Sequence, residues 1–430
     1  MTTHEKTNGR PVSSRGPRIH HAALLVSLSG IGCSSGDSVS VSDWLATDGL
    51  AAEWRVATTI LLGEFGDAPG DPPLHVVPHS EYRDGVAWLL EPSEGQLHGY
   101  TPAGQRVRSL GGRGAGPGEF LRPVRFGFRA DSLWVLDLGR GRIVWFRPDA
   151  GFLGEDVTSG PVSWQGSAYG SVGEPMADGF MLLRPTVSSQ GFPDGIHPPV
   201  ALLRHHPGDG RTEPMAWMAS VPSNAARIPD PRGAGAGTAI MAEPFNVIPI
   251  VRSGMGGAGI IVIERHEPVG GDPLNPAAEG GRLTRIGPSG DTLWVLPLGL
   301  PTLPLTPETV DSVVDARYPW RAEWSMGLPA GAWREYLVRH FRIPELAPPA
   351  RHVAVADDGR TWIGGPSHTG PHRPWIVVSS DGEMEASFSL PSDWSLQGAR
   401  HDTIWGLRTG QAGEPVWFLR RVQGIFGAGS

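Results

Sequence analysis

Short apolar runs, each entered through an Asp-containing turn, recur along the chain. YRDGVAWLL carries Trp88, RADSLWVLD carries Trp134 46 residues on, and MADGFMLL places Phe180 a further 46 on. The pattern returns in DDGRTWIGG with Trp362 and in HDTIWGLRT with Trp405, 43 later. Asp and Gly supply the turn chemistry, and the apolar run has the length of a buried strand. Strand-like partners follow at hairpin distance. GRIVWFRP (141–148) leads through PDAG to GFLGEDV, and RPWIVVSS (373–380) leads through SDGE to MEASFSL. The pattern predicts a unit of three or four antiparallel strands in about 45 residues.

A second marker repeats at nearly the same spacing. Leu62–Pro73 reads LGEFGDAPGDPP and Leu110–Leu121 reads LGGRGAGPGEFL. At an offset of 48, Leu62/Leu110, Gly63/Gly111, Gly66/Gly114, Pro69/Pro117 and Gly70/Gly118 are identical. One such unit leaves both sheet faces bare, so copies must stack around an axis, and radial closure protects their edges. The expectation is an all-β, six-bladed β-propeller. Its blades fall near 74–110, 122–157, 165–217, 245–298 and 350–390, with a sixth starting at Leu396. The sixth has only two strands before the chain ends. The strand EWRVATTILLG (53–63) is left over at the front, and pairing it beside residues 413–422 closes the ring. The propeller then spans 51–425.

Two stretches break the period. Residues 221–244, with PDPRGAGAGTA, read as a flexible surface loop. Residues 304–346 read as an insertion of two short helices between blades four and five. Thr306 is a suitable N-cap, Pro307 fits the first helical position, and Glu308 is an acid in the first turn. Val310, Val313 and Val314 share one side. Trp333, Tyr336, Leu337, His340 and Phe341 follow a helical stripe. These faces are expected to bury against the ring edge or to cap one mouth.

Composition agrees with many short elements and many turns: 60 glycines and 42 prolines in 430 residues, with 39% apolar residues and 16 tryptophans to build cores. The formal net charge is −8, and without residues 1–32 it falls to −11. An acidic body with no basic stripe argues against nucleic acid as a partner. Lys6 is the only lysine, so a chain trimmed behind it has no P-loop or Schiff-base lysine. Cys33 is the only cysteine, which excludes internal disulfides and thiolate zinc sites.

The N-terminus has the layout of an export signal. Met1–His21 is polar and basic, Ala22–Ile31 is apolar, and Gly32-Cys33 precedes a polar tract. Ten apolar-leaning residues are too short to span a bilayer, which needs about 20. Cys33 resembles the lipid-modified cysteine of bacterial lipoproteins, although Gly30 stands where that pattern usually has Leu. Residues 1–33 are therefore expected to be a lipoprotein-like export signal and 34–50 a polar linker. The protein is expected in the bacterial envelope, lipid-anchored through Cys33 or periplasmic, as a monomer.

The loop GRGAGPGEFLRP (112–123), followed by ADSLWVLDLGRGRIVWFRPDAGF (130–152), resembles the repeat of bacterial six-bladed propellers of the NHL and TolB-like type. Asp137, Arg142, Ile143 and Phe146 occupy the places of that pattern. PLTPETVDSVVDARYP (304–319) and FRIPELAPPARHVAVADDGRTWIGG (341–365) resemble exported or lipid-anchored members with a helical insert before the penultimate blade. The resemblance implies a scaffold that ranges from binding proteins to lyases and lactone hydrolases, and it does not choose among them.

Candidate chemistry is sparse. Asp137 and Arg142 are read as a structural pair tying a turn. His197, His205, His206, His266, His340, His352, His368 and His372 raise a metal hypothesis without tight ligand spacing. Asp357-Asp358 reads as a polar turn. The runs GGRGAGPG and GMGGAG lack a nucleotide-fold setting and read as tight blade-to-blade connections. No G-x-S-x-G elbow occurs. Trp134, Trp362 and Trp405 are expected in equivalent inter-blade core positions. Trp164, Trp217, Trp320, Trp324, Trp375 and Trp394 are the candidates for an exposed aromatic surface. No catalytic, cofactor-binding or metal residue is singled out, and no cofactor is expected. The leading expectation is a non-enzymatic binding or scaffold protein recognising a protein, peptide or glycan through its loops. The alternative is a hydrolase or lyase with a polar channel site.

Overall fold

The computed structural model describes residues 58–423 apart from 66–76, 78, 158–161, 166, 170–172, 185–195, 198–199, 219–220, 223–224, 234–236, 246–248, 266–280, 298–302, 323–324, 367–371 and 412. The expected export signal (1–33), its Cys33 and the linker (34–50) lie outside the described residues. Among the described residues, no helix is long and apolar enough to cross a membrane.

Six four-stranded antiparallel sheets follow one another along the chain, each running from an innermost to an outermost strand. Blade one is Ser80–Arg83, Val86–Glu91, Gln96–Tyr100 and Arg106–Gly111. Blade two is Pro123–Arg129, Ser132–Asp137, Arg142–Arg147 and Gly151–Val157. Blade three has only Glu174–Pro175 as its inner strand, then Met181–Leu183, Val200–His205 and Thr212–Met218. Blade four is Ile250–Ser253, Ile260–Glu264, Arg282–Ile286 and Thr292–Pro297. Blade five is His352–Val355, Thr361–Gly364, His372–Val378 and Met384–Pro391. Blade six takes Ser395–Arg400, Thr403–Thr409 and Pro415–Gln423 from the C-terminal region and Thr58–Phe65 from the front. That last strand pairs Thr58 with Gln423 and Phe65 with Trp417, so the ring closes without a covalent link, as the leftover strand predicted.

The second strand of each blade is apolar over most of its length because it is covered on both faces. In blade two, Leu133 and Val135 join Trp88 and Leu90 in the core with blade one, while Trp134 and Leu136 join Met181 and Leu203 in the core with blade three. Trp88, Trp134, Trp362 and Trp405 each face the following blade, and none exceeds 5% exposure. Room for the indoles comes from small residues on the inner strand: Gly127 opposes Trp134, Ala354 opposes Trp362, and Gly398 opposes Trp405.

Three sequence expectations need correction. Within 221–244, Ala225–Pro229 and Thr238–Ala242 pair as an antiparallel hairpin rather than forming a loose loop. The hairpin packs on the inserted helices α1 (Pro307–Arg317) and α2 (Ala330–His340). Ala226, Ile228, Val310, Val314, Trp333, Leu337 and Phe341 form one small core, and the Tyr336 hydroxyl donates to Pro229 O at 2.7 Å. Period alone missed this because a two-stranded ribbon is stabilised here by helices 80 residues away. The N-cap reading of α1 holds, with Thr309 N donating to Thr306 Oγ1 at 3.3 Å. Second, GMGGAG (254–259) is the turn between the first two strands of blade four, not a connection between blades. It packs against the inner strand of blade two, across the place where blade three's inner strand is short. Gly257, at φ +78°, sits so close that a Cβ would lie 2.5 Å from Ala177 N. Third, Trp375 is buried in the blade five–six core, and Trp394 is covered there, 4.4 Å from the Phe418 ring.

Candidate functional site

The six inner strands surround a cavity of about 300 Å³ on the axis, and its wall is polar. Blade one contributes His79 and Glu81, blade two Arg125, and blade four Arg252 and Ser253. Blade five adds Arg351 and His352, and blade six adds Ser395 and Gln397. The turn at Gly254–Gly257 lies on the same wall. Each blade's first strand is an edge strand of its sheet, and neighbouring residues such as Arg252 with Ser253 and Arg351 with His352 line the cavity together.

Glu174, at the start of blade three, organises one side. Its Oε1 accepts from Arg125 Nη1 at 2.7 Å and from Arg184 Nη2 at 2.6 Å, and its Oε2 accepts from Ser253 Oγ. Burial alone would raise this carboxyl, but Arg125 and Arg184 outweigh it and hold the group at about 2. One carboxylate therefore faces two guanidiniums, with Arg252 close by.

The blade four–five side is strongly cationic. Arg351 donates to Pro244 O at 3.3 Å, and Arg252 donates to Val251 O at 3.1 Å. Behind them, Arg265 donates to Ala350 O at 3.2 Å. Arg373 donates to Ser392 O and Trp394 O at 3.1 Å each. Burial, then repulsion from the neighbouring arginines, lowers Arg252 and Arg265 to about 10; burial and Arg351 do the same to Arg373. All remain charged at neutral pH.

His352 sits among them. Burial first, then Arg373, Arg351 and Arg252, depress its imidazole to about 3, so the ring is neutral at ordinary pH. The unfolded chain takes up this proton below about pH 6.5 while the folded chain resists until about 3. The contribution to stability is complete above about 6.5 and is lost as pH falls toward 3. Glu174 acts only at lower pH, below about 4.5, where its depressed carboxyl is also lost to the balance. Between about pH 6.5 and 5 the histidine therefore acts without it, and about 2 kcal/mol should disappear. Denaturant titrations of wild type and His352→Gln over that window check this; parallel pH curves for the two proteins would refute it.

Opposite, His79 Nε2 lies 3.2 Å from Glu81 Oε1, and Glu81 Oε2 is buried with no hydrogen-bond partner among the described residues.

The residues singled out from sequence are mostly elsewhere. Asp137 and Arg142 are buried in blade two, 3.5 Å apart, and hold the loop from blade one. His205 is buried against Thr212 at 2.9 Å, and His206 lies in an exposed turn 3.0 Å from Asp209. His340 closes α2, 2.8 Å from Tyr336 O, and His372 is exposed at a strand start. His266, His368, Trp324 and the side chain of His197 lie outside the described residues. Of the eight histidines proposed, His352 alone is described in the channel wall. Among the described residues, no three His, Cys, Asp or Glu side chains gather as a metal site. Asp357 and Asp358 pair with Arg400 and Arg360 at 2.6 Å each. Trp217 and Trp320 are exposed, Trp164 is half-buried, and with Trp375 and Trp394 covered no aromatic platform forms among the described members of this set. Sequence reasoning passed over Glu81, Arg125, Glu174, Arg252 and Arg351. Each is a charged residue in or beside the inner strand that precedes a blade's first turn.

No family model matches the chain, and no curated protein matches it. Solved structures do. A protein from Bacteroides fragilis assigned as exported shares 10% identity at a TM-score of 0.40, over 85% of this chain and 94% of its own. The PQQ-bound aldose sugar dehydrogenase of Streptomyces coelicolor shares 11% at 0.36, over 85% and 98%. A streptogramin B lyase shares 11% at 0.34, over 80% and 95%. At that level none of them lends this chain a substrate.

Proposed function

We propose that this protein is an exported, envelope-associated propeller that binds a small polar molecule in its central channel without transforming it. The observation that carries this is the axial cavity, into which five blades send polar or charged side chains while the apolar residues between blades are consumed in packing. Its volume lies at the lower end of the range for small-molecule sites. Capture of a large partner on an aromatic surface has less support, because Trp375 and Trp394 belong to the core. Export and attachment through Cys33 rest on the sequence pattern of residues 1–33, and the NHL and TolB-like kinship rests on the blade-two motif.

The test is a thermal-shift screen of organic acids, sugars and nucleosides on the full chain and on Ser395→Trp, which places an indole in the cavity. A ligand at about a hundredfold its Kd should stabilise the wild type by about 3 kcal/mol and leave the filled variant unchanged. Partners that bind both proteins equally well would defeat the reading.

A second reading, a lyase using Glu81 as base, is favoured by the unpartnered Oε2 beside His79. Conversion of any ligand found, abolished by Glu81→Gln, would establish it over simple binding.

A further inference from the structure

The channel is basic although the chain as a whole is acidic, at a net −8. Glu174 is already paired with Arg125 and Arg184. Arg252 and Arg351 come from neighbouring blades, line the same cavity and, among the described residues, reach no carboxylate within ion-pair distance. Among the described residues they donate to main-chain oxygens, Val251 O and Pro244 O. A carbonyl oxygen fixes a guanidinium in place but does not cancel its charge. Arg265 and Arg373 stand behind the wall, hydrogen-bonded to the carbonyls of Ala350, Ser392 and Trp394, and Asp393 offsets part of the Arg373 charge. Arg317 of α1 acts on Arg351 in the same sense.

Burying like charges together opposes folding, so their persistence calls for something that benefits. A guanidinium presents a planar fork of donors, matched to an oxyanion, and a low-dielectric wall strengthens that attraction. The neutral imidazole of His352, on the same wall, supplies one further N–H or one acceptor for the rest of the molecule.

We propose that the wall formed by Arg252 and Arg351 is an oxyanion site, and that the channel's ligand is a small molecule bearing a carboxylate or a phosphate. This rests on the reading of the channel as a ligand site and specifies its chemistry. Glu174 has a defined part: it keeps Arg125 and Arg184 occupied, leaving the blade four–five side to the ligand. The Ser253 hydroxyl, donated to Glu174, is likewise committed.

Calorimetric titration of the full chain with citrate, with inorganic phosphate and with a neutral sugar at low ionic strength tests this. Citrate or phosphate should bind, and R252Q and R351Q should each weaken binding about tenfold or more. Arg129→Gln, whose side chain stacks on Trp145 away from the cavity, should leave it unchanged. The tighter of the two anions tells a carboxylate ligand from a phosphorylated one. Folding is read separately by thermal melting, where removing a crowded cation should leave Tm unchanged or higher. Arg351→Lys, which keeps the charge and loses the fork, is the second variant and should lose less affinity than R351Q. Anion binding that survives both Gln variants would overturn the site. Binding of the sugar alone, abolished in Ser395→Trp, would overturn the anion assignment and leave the channel reading intact. Failure of both anions and of every neutral ligand would remove both.

Discussion

Asp137→Ala should destabilise the protein by about 3–5 kcal/mol, the range for removing one partner from a buried, hydrogen-bonded ion pair. Asp137 is fully buried, and its Oδ1 accepts from Arg122 N at 2.8 Å and Gly139 N at 3.1 Å. Its Oδ2 accepts from Leu121 N at 3.3 Å and lies 3.5 Å from Arg142 Nε. Arg142, 1% exposed, then donates to Glu119 O at 2.7 Å and Gly116 O at 3.3 Å, and pairs with Glu155. The pair ties the loop from blade one, residues 112–122, to the third-strand turn of blade two. Its loss strands three backbone donors and takes from the buried Arg142 one of its two carboxylates, leaving only the partly exposed Glu155. Denaturant unfolding measures the effect, and hydrogen exchange should show faster exchange at Leu121 and Arg122. A loss below about 1 kcal/mol would show the pair to be incidental.

Trp405→Ala should cost about 3–5 kcal/mol, as large-to-small changes of buried aromatics do. Its ring is fully buried where blade six meets blade one, beside Trp417, Leu89 and Tyr100. The indole N–H donates to Ser80 O at 3.1 Å, and Trp417 Nε1 donates to Ser80 Oγ at 3.0 Å. These bonds join the first blade to the last, so the substitution weakens the closure of the ring and not only one sheet. Gly398→Val should be comparably harmful, because even a Cβ at that position would meet the Trp405 ring at 2.1 Å. Chemical denaturation of both variants checks the size. Limited proteolysis should cut first near the closing strand at residues 58–65. Wild-type stability in Trp405→Ala would mean that the closure lies elsewhere.

The blades were readable because each rests on local chemistry. Turns built on Asp, runs of apolar residues and, in blades one, two, five and six, a tryptophan at a fixed place after the turn mark strands covered on both faces. The helix start at Thr306-Pro307-Glu308 was readable for the same reason. The hairpin at 225–242 was not, because what holds it is a core shared with Trp333 and Leu337, far along the chain. Trp375 and Trp394 were misplaced on the surface because a tryptophan outside the repeating position gives no sign of its depth.

The site divides along the same line. Sequence by itself determined the six-fold repeat, the strand borrowed for closure, and therefore the existence of an axis toward which inner strands must point. It also favoured a structural role for Asp137 and Arg142, since both flank one turn, and the structure shows them holding the loop from blade one. Only the tertiary structure decided that Arg125 and Arg184 converge on Glu174, and that Arg252, Arg351 and His352 share one wall. These residues are separated by up to 227 positions and meet only because the ring closes. The charge density of a channel depends on which blades face each other across it, and no linear spacing encodes that.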